Sequence, residues 1–422
     1  MKKNLLFVLS GIVFTFLLSA CDDKNSNDLD ENLAFSKLSV EEQKQKIEQN
    51  GIDMANAMDG MSDTKAMQAI MHFNMLNEED DVYYSNSISY FAKSVSKKPE
   101  FALQKAIKKS LSDDESEWGE FTYDFSTGEF KKTANYTNKI VYKFPADSLS
   151  TTNNAVFTLN YTESDVLMPD SETYFPASIV CSLAINGKAV LSGSFTASYK
   201  NDYTPTSVKE TLIIDNYSIL SSISNDTKKL TQSFEIKKDN KTIIKNESEL
   251  QGKLTIDDAQ NNPNESLESF VVSMQLMNIA IKGGSTKLSD LISEINSIDD
   301  ETLSEQQYME QEAAILNKYM VCYAYFTDDK TKFADVEFYV IENETTEPVF
   351  NWETYEYTYE TVMEYELAPR LVLSDGSKMS IEEYFETGFD DLADEIEDLP
   401  LDIVPYTFCV SEVNSVNSCV LS

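Results

Sequence analysis

The chain has 422 residues, with 72 acidic and 34 basic side chains and a formal net charge of −38. A surface this acidic repels phosphate backbones, and nucleic-acid-binding proteins need basic patches, so nucleic-acid binding is excluded. Arg370 is the only arginine and His72 the only histidine. The chain can therefore build at most one arginine fork for phosphate or carboxylate, and it has one candidate histidine base.

The first 20 residues have the order of a secretory signal peptide. Lys2 and Lys3 are followed by an apolar run that ends at Leu18 and is too short for a comfortable membrane span. The run closes on Leu18-Ser19-Ala20-Cys21, which resembles the lipobox of bacterial lipoproteins. In that class the signal peptide is removed and Cys21 becomes the lipidated first residue. The resemblance implies membrane attachment through acyl chains on Cys21.

Two aspartates, Asp22 and Asp23, follow this cysteine at once. Together with the Asn-, Asp- and Tyr-rich composition, they resemble the start of uncharacterised Bacteroidetes surface lipoproteins, which implies an outer-membrane protein exposed at the cell surface. An Asp in this place also resembles the inner-membrane retention signal of enteric bacteria, so a periplasm-facing location stays open. Residues 21–37 are polar and without periodicity, which predicts a flexible tether.

Helical periodicity begins after the tether and continues to residue 112. Ser39 and Glu42 have the spacing of a capping box, and Ile47, Met54 and Met58 then fall on one helical face. A second helix is predicted with Met67, Ile70, Met71 and Met75 on its apolar side, followed by two more helices near 86–96 and 99–111.

The period changes to two from Trp118 onwards, which predicts β-strands separated by Asn, Asp and Gly turns. Such closely spaced strands are typical of an antiparallel meander. After a first hairpin at 121–130, we expect strands at 137–144, 155–162, 177–185, 189–199, 208–219, 230–237, 242–253 and 267–282. For the pair around Asn186-Gly187, the buried faces match only if Leu183 pairs with Leu191 and Ile179 with Phe195. A three-residue loop with a bulge is the expected connection.

The sequence from residue 285 onwards again predicts helices followed by antiparallel strands. Helices are expected over 285–318, the second capped by Ser304, and strands at 319–327, 333–342, 354–363 and 369–374. A final helix begins at Ser380, and residues 402–411 follow as a last strand. The predicted fold class is α+β, with N-terminal helices, a large antiparallel meander forming an open sheet or half-barrel, then helices and a second set of antiparallel strands. Two units are expected, 38–283 and 284–422, joined at Gly283-Gly284, although one continuous domain stays open.

An aromatic stripe is the strongest candidate for a binding site. Tyr355, Tyr357 and Tyr359 alternate along one strand, with Trp352 beside them. On an exposed sheet face these rings could stack on sugars or hold a peptide, and on a covered face they would be core. A second row is formed by Tyr319, Tyr323 and Tyr325, which could likewise be a binding surface or part of the core.

Three other residue groups are candidates for a metal site or a catalytic site. The methionines from Met54 to Met75 indicate core packing, an adaptable apolar groove or a soft-metal site around His72. Acidic loops at 257–265 and 299–301 could hold a structural calcium ion, and no other cofactor is predicted. Glutamates around the stripe could pair as in glycoside hydrolases, although chance pairs are common in so acidic a chain.

The cysteines and one short motif complete the candidates. Cys409 and Cys419 lie close enough in sequence for a hairpin disulfide, while Cys181 and Cys322 are expected to be buried thiols. Asp147-Ser148-Leu149 resembles the O-glycosylation pattern of Bacteroidetes, which points to Ser148. Nucleophile-elbow, P-loop, Rossmann and zinc-protease motifs are absent from the sequence.

These observations predict a non-catalytic cell-envelope lipoprotein that binds a glycan, a peptide or an envelope protein. Two alternatives stay open. The first is an envelope carrier or assembly factor with an apolar cavity for lipid or a client segment. The second is a carboxylate-dependent hydrolase. An exposed tyrosine stripe would favour the binding protein, and a large apolar cavity beneath the methionine-rich helices would favour the carrier.

Overall fold

The computed structural model describes residue 29 and residues 32–76, 118–168, 174–254, 267–299, 302–351 and 356–389. Their centre is a single 16-stranded sheet with the order β16-β15-β14-β13-β12-β11-β10-β9-β8-β7-β6-β5-β4-β3-β1-β2. From β3 to β16 each strand lies beside the next strand of the chain and runs antiparallel to it. The expected antiparallel meander is therefore confirmed as a large open sheet with few helices.

The elements have the following bounds. The helices are α1 (Val40–Ser62), α2 (Lys65–Met75), α3 (Leu288–Ile295), α4 (Glu305–Tyr319) and α5 (Ile381–Phe385). The first strands are β1 (Gly119–Asp124), β2 (Glu129–Ala134), β3 (Lys139–Phe144), β4 (Ala155–Leu167), β5 (Tyr174–Ile185), β6 (Lys188–Tyr199), β7 (Pro205–Ile214) and β8 (Tyr217–Asn225). The others are β9 (Lys229–Lys238), β10 (Lys241–Gly252), β11 (Leu267–Leu276), β12 (Ile279–Ser285), β13 (Val321–Phe326), β14 (Thr331–Asn351), β15 (Glu356–Val372) and β16 (Lys378–Ser380).

The β5–β6 hairpin has the predicted register but a different turn. Leu183 pairs with Leu191 and Ile179 with Phe195. The turn itself is the two-residue Asn186-Gly187, with φ of 50° and 76°, and Ile185 pairs with Lys188. A register shift within the strands, between Leu183 and Ala184, brings the apolar side chains of β5 and β6 onto the same face of the sheet. The prediction of a bulge was right and the three-residue loop was wrong, because a bulge within the strands leaves the favoured Asn-Gly turn intact.

Two predicted strands are each divided in the structure. The run 208–219 is β7 and the start of β8, separated by Asp215-Asn216, and 267–282 is β11 and most of β12, separated by Met277-Asn278. Asp215 and Met277 both have φ of 51°. Met277 is an unusual residue for this left-handed region, so its turn has no strong sequence signal. The opposite error occurs at 354–374, where two predicted strands form the single strand β15.

The predicted capping boxes are confirmed at three helices. Ser39, Ser304 and Ser380 each accept a hydrogen bond from the backbone N–H three residues later, and the Glu or Gln at that position bonds back. These reciprocal bonds satisfy N–H groups that have no partner within the helix. The predicted helices at 86–96 and 99–111, the residues of the last helix beyond 389, and the strand at 402–411 lie outside the described residues.

Helices α1 and α2 cover the core face of the meander. α1 passes the turns at one end of the sheet, where Lys46 Nζ lies 3.0 Å from Asp328 and Asn50 accepts a 3.0 Å bond from the N–H of Asn278. Further along, the Tyr217 hydroxyl donates a 2.6 Å bond to the Ala57 carbonyl. α2 then places Phe73, which is fully buried, against Phe144 at a centroid distance of 4.9 Å. One helix layer therefore spans strands from β14 to β3.

The sheet continues without a break across the predicted domain boundary. Gly283 and Gly284 lie within β12, which pairs with β11 on one side and β13 on the other. A Cβ atom on Gly284 would lie 2.2 Å from the Phe270 carbonyl oxygen, so this glycine allows a close approach of two strands. α3 and α4 follow and are joined by Glu294, whose carboxylate accepts bonds of 2.6 Å from Lys318 and Tyr319. No helix within the described ranges is long and apolar enough to cross a membrane.

Candidate functional site

The predicted aromatic stripe lies on the longest hairpin of the sheet. β14 and β15 pair along 17 consecutive positions, from Asp335 with Val372 to Asn351 with Glu356. We call the distal half of this hairpin, Asn343–Asn351 with Glu356–Glu364, the arm. Tyr357 and Tyr359 belong to the arm, whereas Trp352 and Tyr355 fall outside the described residues.

The arm continues the core face of the sheet. Leu371 is buried in a cluster with Phe326, Ile381 and Tyr384, and Val336, which pairs opposite Leu371, is partly buried and packs against this cluster. Side chains two residues apart along a strand share a face, and the β14–β15 register has no shift. The face of Leu371 and Val336 therefore passes through Phe338 and Leu367 to Met363, Tyr359 and Tyr357, with Thr346 and Pro348 opposite.

Among the residues that the structure describes, the hydrogen bonds from helix α4 to β14 lie before the arm begins. At the base, Asn317 of α4 bonds both backbone groups of Phe338, with distances of 2.8 Å to its carbonyl and 2.7 Å from its N–H. Gln306, in the first turn of α4, reaches Glu342 at 3.3 Å. On the arm itself Tyr357 is 65% exposed, Tyr359 is 71% exposed and Met363 is 42% exposed. The same face is thus core at one end and surface at the other.

The backbone of the arm also offers an edge. Only Arg370–Val372 of β15 pair with β16. Within the described ranges, the stretch of β15 from Glu356 to Pro369 has β14 as its single partner strand. Such an edge presents a row of N–H and C=O groups that can accept a further strand.

Charge separates the base of the hairpin from the arm. At the base, Glu337 bonds Arg370 at 2.6 Å and Lys378 at 2.6 Å, and the guanidinium lies 4.7 Å from the centre of the Tyr339 ring. Burial alone would raise the pKa of Glu337, but the bonds from Lys378 and Arg370 outweigh it, so the pKa is lowered. From Glu342 to Glu366 the sequence has eight glutamates and no basic residue.

The second tyrosine row has a structural role. Tyr323 is 2% exposed and lies 5.6 Å from Tyr325, ring centre to ring centre. Burial raises the pKa of Tyr325. Tyr319 uses its hydroxyl to bond Glu294. This row therefore belongs to the packed part of the sheet, and the binding interpretation applies only to the arm.

The methionine-rich helices are mostly packed as core. Met58, Met61 and Met67 are buried in the cluster with Phe73 and the strands of the meander. Met71 and Met75, predicted to lie on the apolar side of α2, are instead more than half exposed, because α2 turns Ala66, Ala69 and Ile70 towards the sheet. Among the described residues, no three His, Cys, Asp or Glu side chains form a group that could hold a metal ion.

The remaining predicted sites lie apart from the arm. Ser148 is exposed in the turn between β3 and β4, next to Leu149 at 89% exposure, and its glycosylation stays a prediction. Cys181 and Cys322 are buried free thiols, and burial raises the pKa of Cys322 to about 12. Cys21, Cys409, Cys419 and the loop at 257–265 are outside the described residues. Of the loop at 299–301, Asp299 is described and accepts a 2.8 Å bond from Thr302.

Several residues of the arm were not predicted as part of the site. Thr346, Pro348 and Met363 share the face of the tyrosines and are exposed. The available signal is the apolar alternation of Val336, Phe338 and Val340. Glu342 and Glu344 interrupt it on the same face, which explains why the strand predicted from the sequence is shorter than β14.

Comparisons with protein families, with curated proteins and with solved structures found no match for this chain.

Proposed function

We propose that this protein is a non-catalytic lipoprotein of the cell envelope, anchored through Cys21 and exposed at the cell surface. It binds a glycan, a peptide or a partner protein on the aromatic face of the arm. The observation that carries the proposal is the exposure of Tyr357 and Tyr359 on a face that is core elsewhere in the sheet. The lipobox resemblance supports the anchor, and the arm supports the binding role.

Tyrosine suits such a surface because its ring supplies apolar contact area and its hydroxyl stays hydrated. Aromatic residues are also enriched among those that dominate binding energy. The arm displays two such rings on alternate residues of one strand, with Met363 further along the same face. A two-stranded ribbon with both rings on one face therefore has the composition of a contact surface.

The carrier alternative has less support. It needs an apolar space beneath the methionine-rich helices, but Met58, Met61 and Met67 pack directly into the cluster under α1 and α2. Protein cores filled in this way leave little room for a lipid. The hydrolase alternative also has less support, because Glu344 and Glu364 are exposed on opposite faces of the ribbon and do not converge on one substrate.

A paired comparison of tyrosine variants tests the binding role. The full chain is purified in mild detergent as wild type, as Tyr357→Ala/Tyr359→Ala, and as Tyr136→Ala/Tyr174→Ala. The control tyrosines are 37% and 40% exposed and lie towards the other edge of the sheet. Each form is applied to a glycan array, a peptide library and a cross-linked envelope extract analysed by mass spectrometry.

We expect one class of ligand to bind the wild type and the control, and to bind the arm variant at least ~10-fold more weakly, as for the loss of a central aromatic contact. Equal binding by all three forms, or no ligand in any of the screens, would refute the proposed role of the arm.

A further inference from the structure

We propose that the occupant of the arm is an extended polypeptide segment rich in lysine or arginine, which adds as a strand to the open edge of β15. This proposal rests on the proposed function and names the ligand class. It follows from three properties of the arm: its charge, its exposed rings and its open backbone edge.

The charge of the arm selects a cation. The eight glutamates between Glu342 and Glu366 have no basic residue among them in sequence. The ion pairs of the described part of the hairpin are made by Asp335 and Glu337, both at its base. Glu344 and Glu364 are exposed on opposite faces of the ribbon. A strand beside β15 would therefore lie next to Glu364 on one face and one strand away from Glu344 on the other.

The exposed rings favour the same charge. The face of an aromatic ring attracts a cation within about 6 Å, and Arg and Lys are the side chains that supply one. The hairpin already contains this arrangement at its base, where Arg370 lies over Tyr339 and bonds Glu337. Tyr357 and Tyr359 are exposed rings further out on the hairpin, and Glu344, opposite Met363, is an exposed carboxylate on the same face.

The backbone fixes the form of the ligand. Residues two apart on a strand are separated by about 6.8 Å, and an added strand has the same repeat. Alternate side chains of such a strand stay in step with Tyr357, Tyr359 and Met363, while the others face the side of Glu364. An extended chain thus meets rings on one side and carboxylates on both, which a compact ligand cannot do.

The same charges argue against other occupants. A second copy of the arm would bring its five glutamates beside five more, and like charges on adjacent strands are destabilising. Nucleic acids, acidic glycans and anionic lipid headgroups are repelled for the same reason. A neutral glycan can donate hydrogen bonds to the carboxylates but has no charge to neutralise them, so a basic segment is the ligand that uses every feature of the arm.

The test uses defined peptides and the full-length protein. The probe is a fluorescent ten-residue peptide of alternating Lys and Thr. One comparison peptide has Glu in place of Lys, and another keeps the lysines but has Pro in place of Thr, which prevents strand pairing. Binding is measured by fluorescence anisotropy to wild type, to Glu344→Lys/Glu364→Lys, and to the charge-matched control Glu129→Lys/Glu163→Lys.

We expect the Lys-Thr peptide to bind and the Glu-Thr peptide not to bind. The Lys-Pro peptide and the arm variant should each weaken binding at least ~10-fold, and the control variant less than ~3-fold, because exposed charges beyond a Debye length are screened. Absence of Lys-Thr binding, equal loss in both lysine variants, or undiminished binding of the Lys-Pro peptide would each overturn the proposal.

The failure of this inference can be distinguished from the failure of the proposed function. If Tyr357→Ala/Tyr359→Ala loses an envelope ligand but the wild type ignores the Lys-Thr peptide, the arm is a binding surface for another ligand class. If neither result appears, both proposals fail.

Discussion

The body of the sheet and the arm have the same strand pattern in opposite surroundings. In the body, alternate residues such as Phe144, Phe157 and Phe195 are buried beneath α1 and α2. In the arm, Tyr357 and Tyr359 occupy the equivalent face and are exposed. The residue type does not record this difference, because tyrosines such as Tyr217 and Tyr323 are also buried in the body of the sheet.

An alternating pattern predicts which side chains share a face of a strand. It does not predict whether another part of the protein covers that face. In the body the pattern stabilises the fold through burial, whereas in the arm the same pattern contributes little to stability and is available for contact. Substitutions at matched positions can therefore separate the two roles.

The largest expected difference is between Phe73 and Tyr359. Phe73 is fully buried, with rings of Phe130, Tyr142 and Phe144 within 5.3 Å of its centre. Phe73→Ala should lower the free energy of unfolding by about 3–5 kcal/mol, since it removes a large ring from a packed site. Tyr359→Ala should change it by less than about 0.5 kcal/mol. Urea unfolding followed by circular dichroism measures both values.

If Phe73→Ala and Tyr359→Ala lowered the free energy of unfolding by similar amounts, the arm would be packed like the body of the sheet, and the contrast between the two regions would be wrong.

A smaller difference is expected between two tyrosine hydroxyls. Tyr217 is 1% exposed, and its hydroxyl donates to the Ala57 carbonyl, joining β8 to α1. Tyr217→Phe should cost about 1 kcal/mol, the net value of a buried hydrogen bond. Tyr357→Phe, at 65% exposure, serves as the matched control and should leave stability within about 0.5 kcal/mol. Equal effects in the same unfolding assay would contradict the prediction.

The smallest effect is expected at Glu337, where the body meets the arm. Its pKa in the fold is lowered from the ordinary 4.5, so its bonds to Arg370 and Lys378 stabilise the protein above pH 4.5 and are lost as the pH falls below that value. Glu337→Gln should therefore be less stable than wild type at neutral pH, and the difference should shrink in acid.

The measurement is a series of unfolding curves across this pH range. A double-mutant cycle with Lys378→Gln provides the control, because Lys378→Gln should matter less once Glu337 is neutral. Parallel curves for wild type and Glu337→Gln at every pH would refute the assignment.

The sequence predicted much of the local structure but not the extent of the sheet. Capping at Ser39, Ser304 and Ser380 depends on residues three apart, and the β5–β6 register follows from matching two apolar faces. The parallel pairing of β1 with β3 was not predictable in this way, because it joins strands that are not consecutive in the chain. The turn at Met277 was missed because methionine is rarely found at positive φ.

The candidate site was predicted in part for a related reason. Spacing alone placed Tyr357 and Tyr359 on one face, and that prediction requires only the period of a strand. Whether α4 would reach that face depends on the length of α4 and on where Asn317 meets Phe338. Those are tertiary contacts, and no local pattern around the tyrosines records them.

The route of α1 has a consequence for the order of folding. Neighbouring strands of the meander can pair as they appear, because each pairing closes a short loop at low entropic cost. Helix α1 makes contacts with segments far along the chain, so it cannot complete its packing at that stage. Lys46 forms an ion pair with Asp328, and Lys44 donates a 3.1 Å bond to the carbonyl of Thr387, 343 residues away. The same helix contributes Met58 to the cluster under the meander and Ile47 to the cluster beside β14. The N-terminal helix can therefore complete its packing only after these distant segments have formed, and it contacts both hydrophobic clusters.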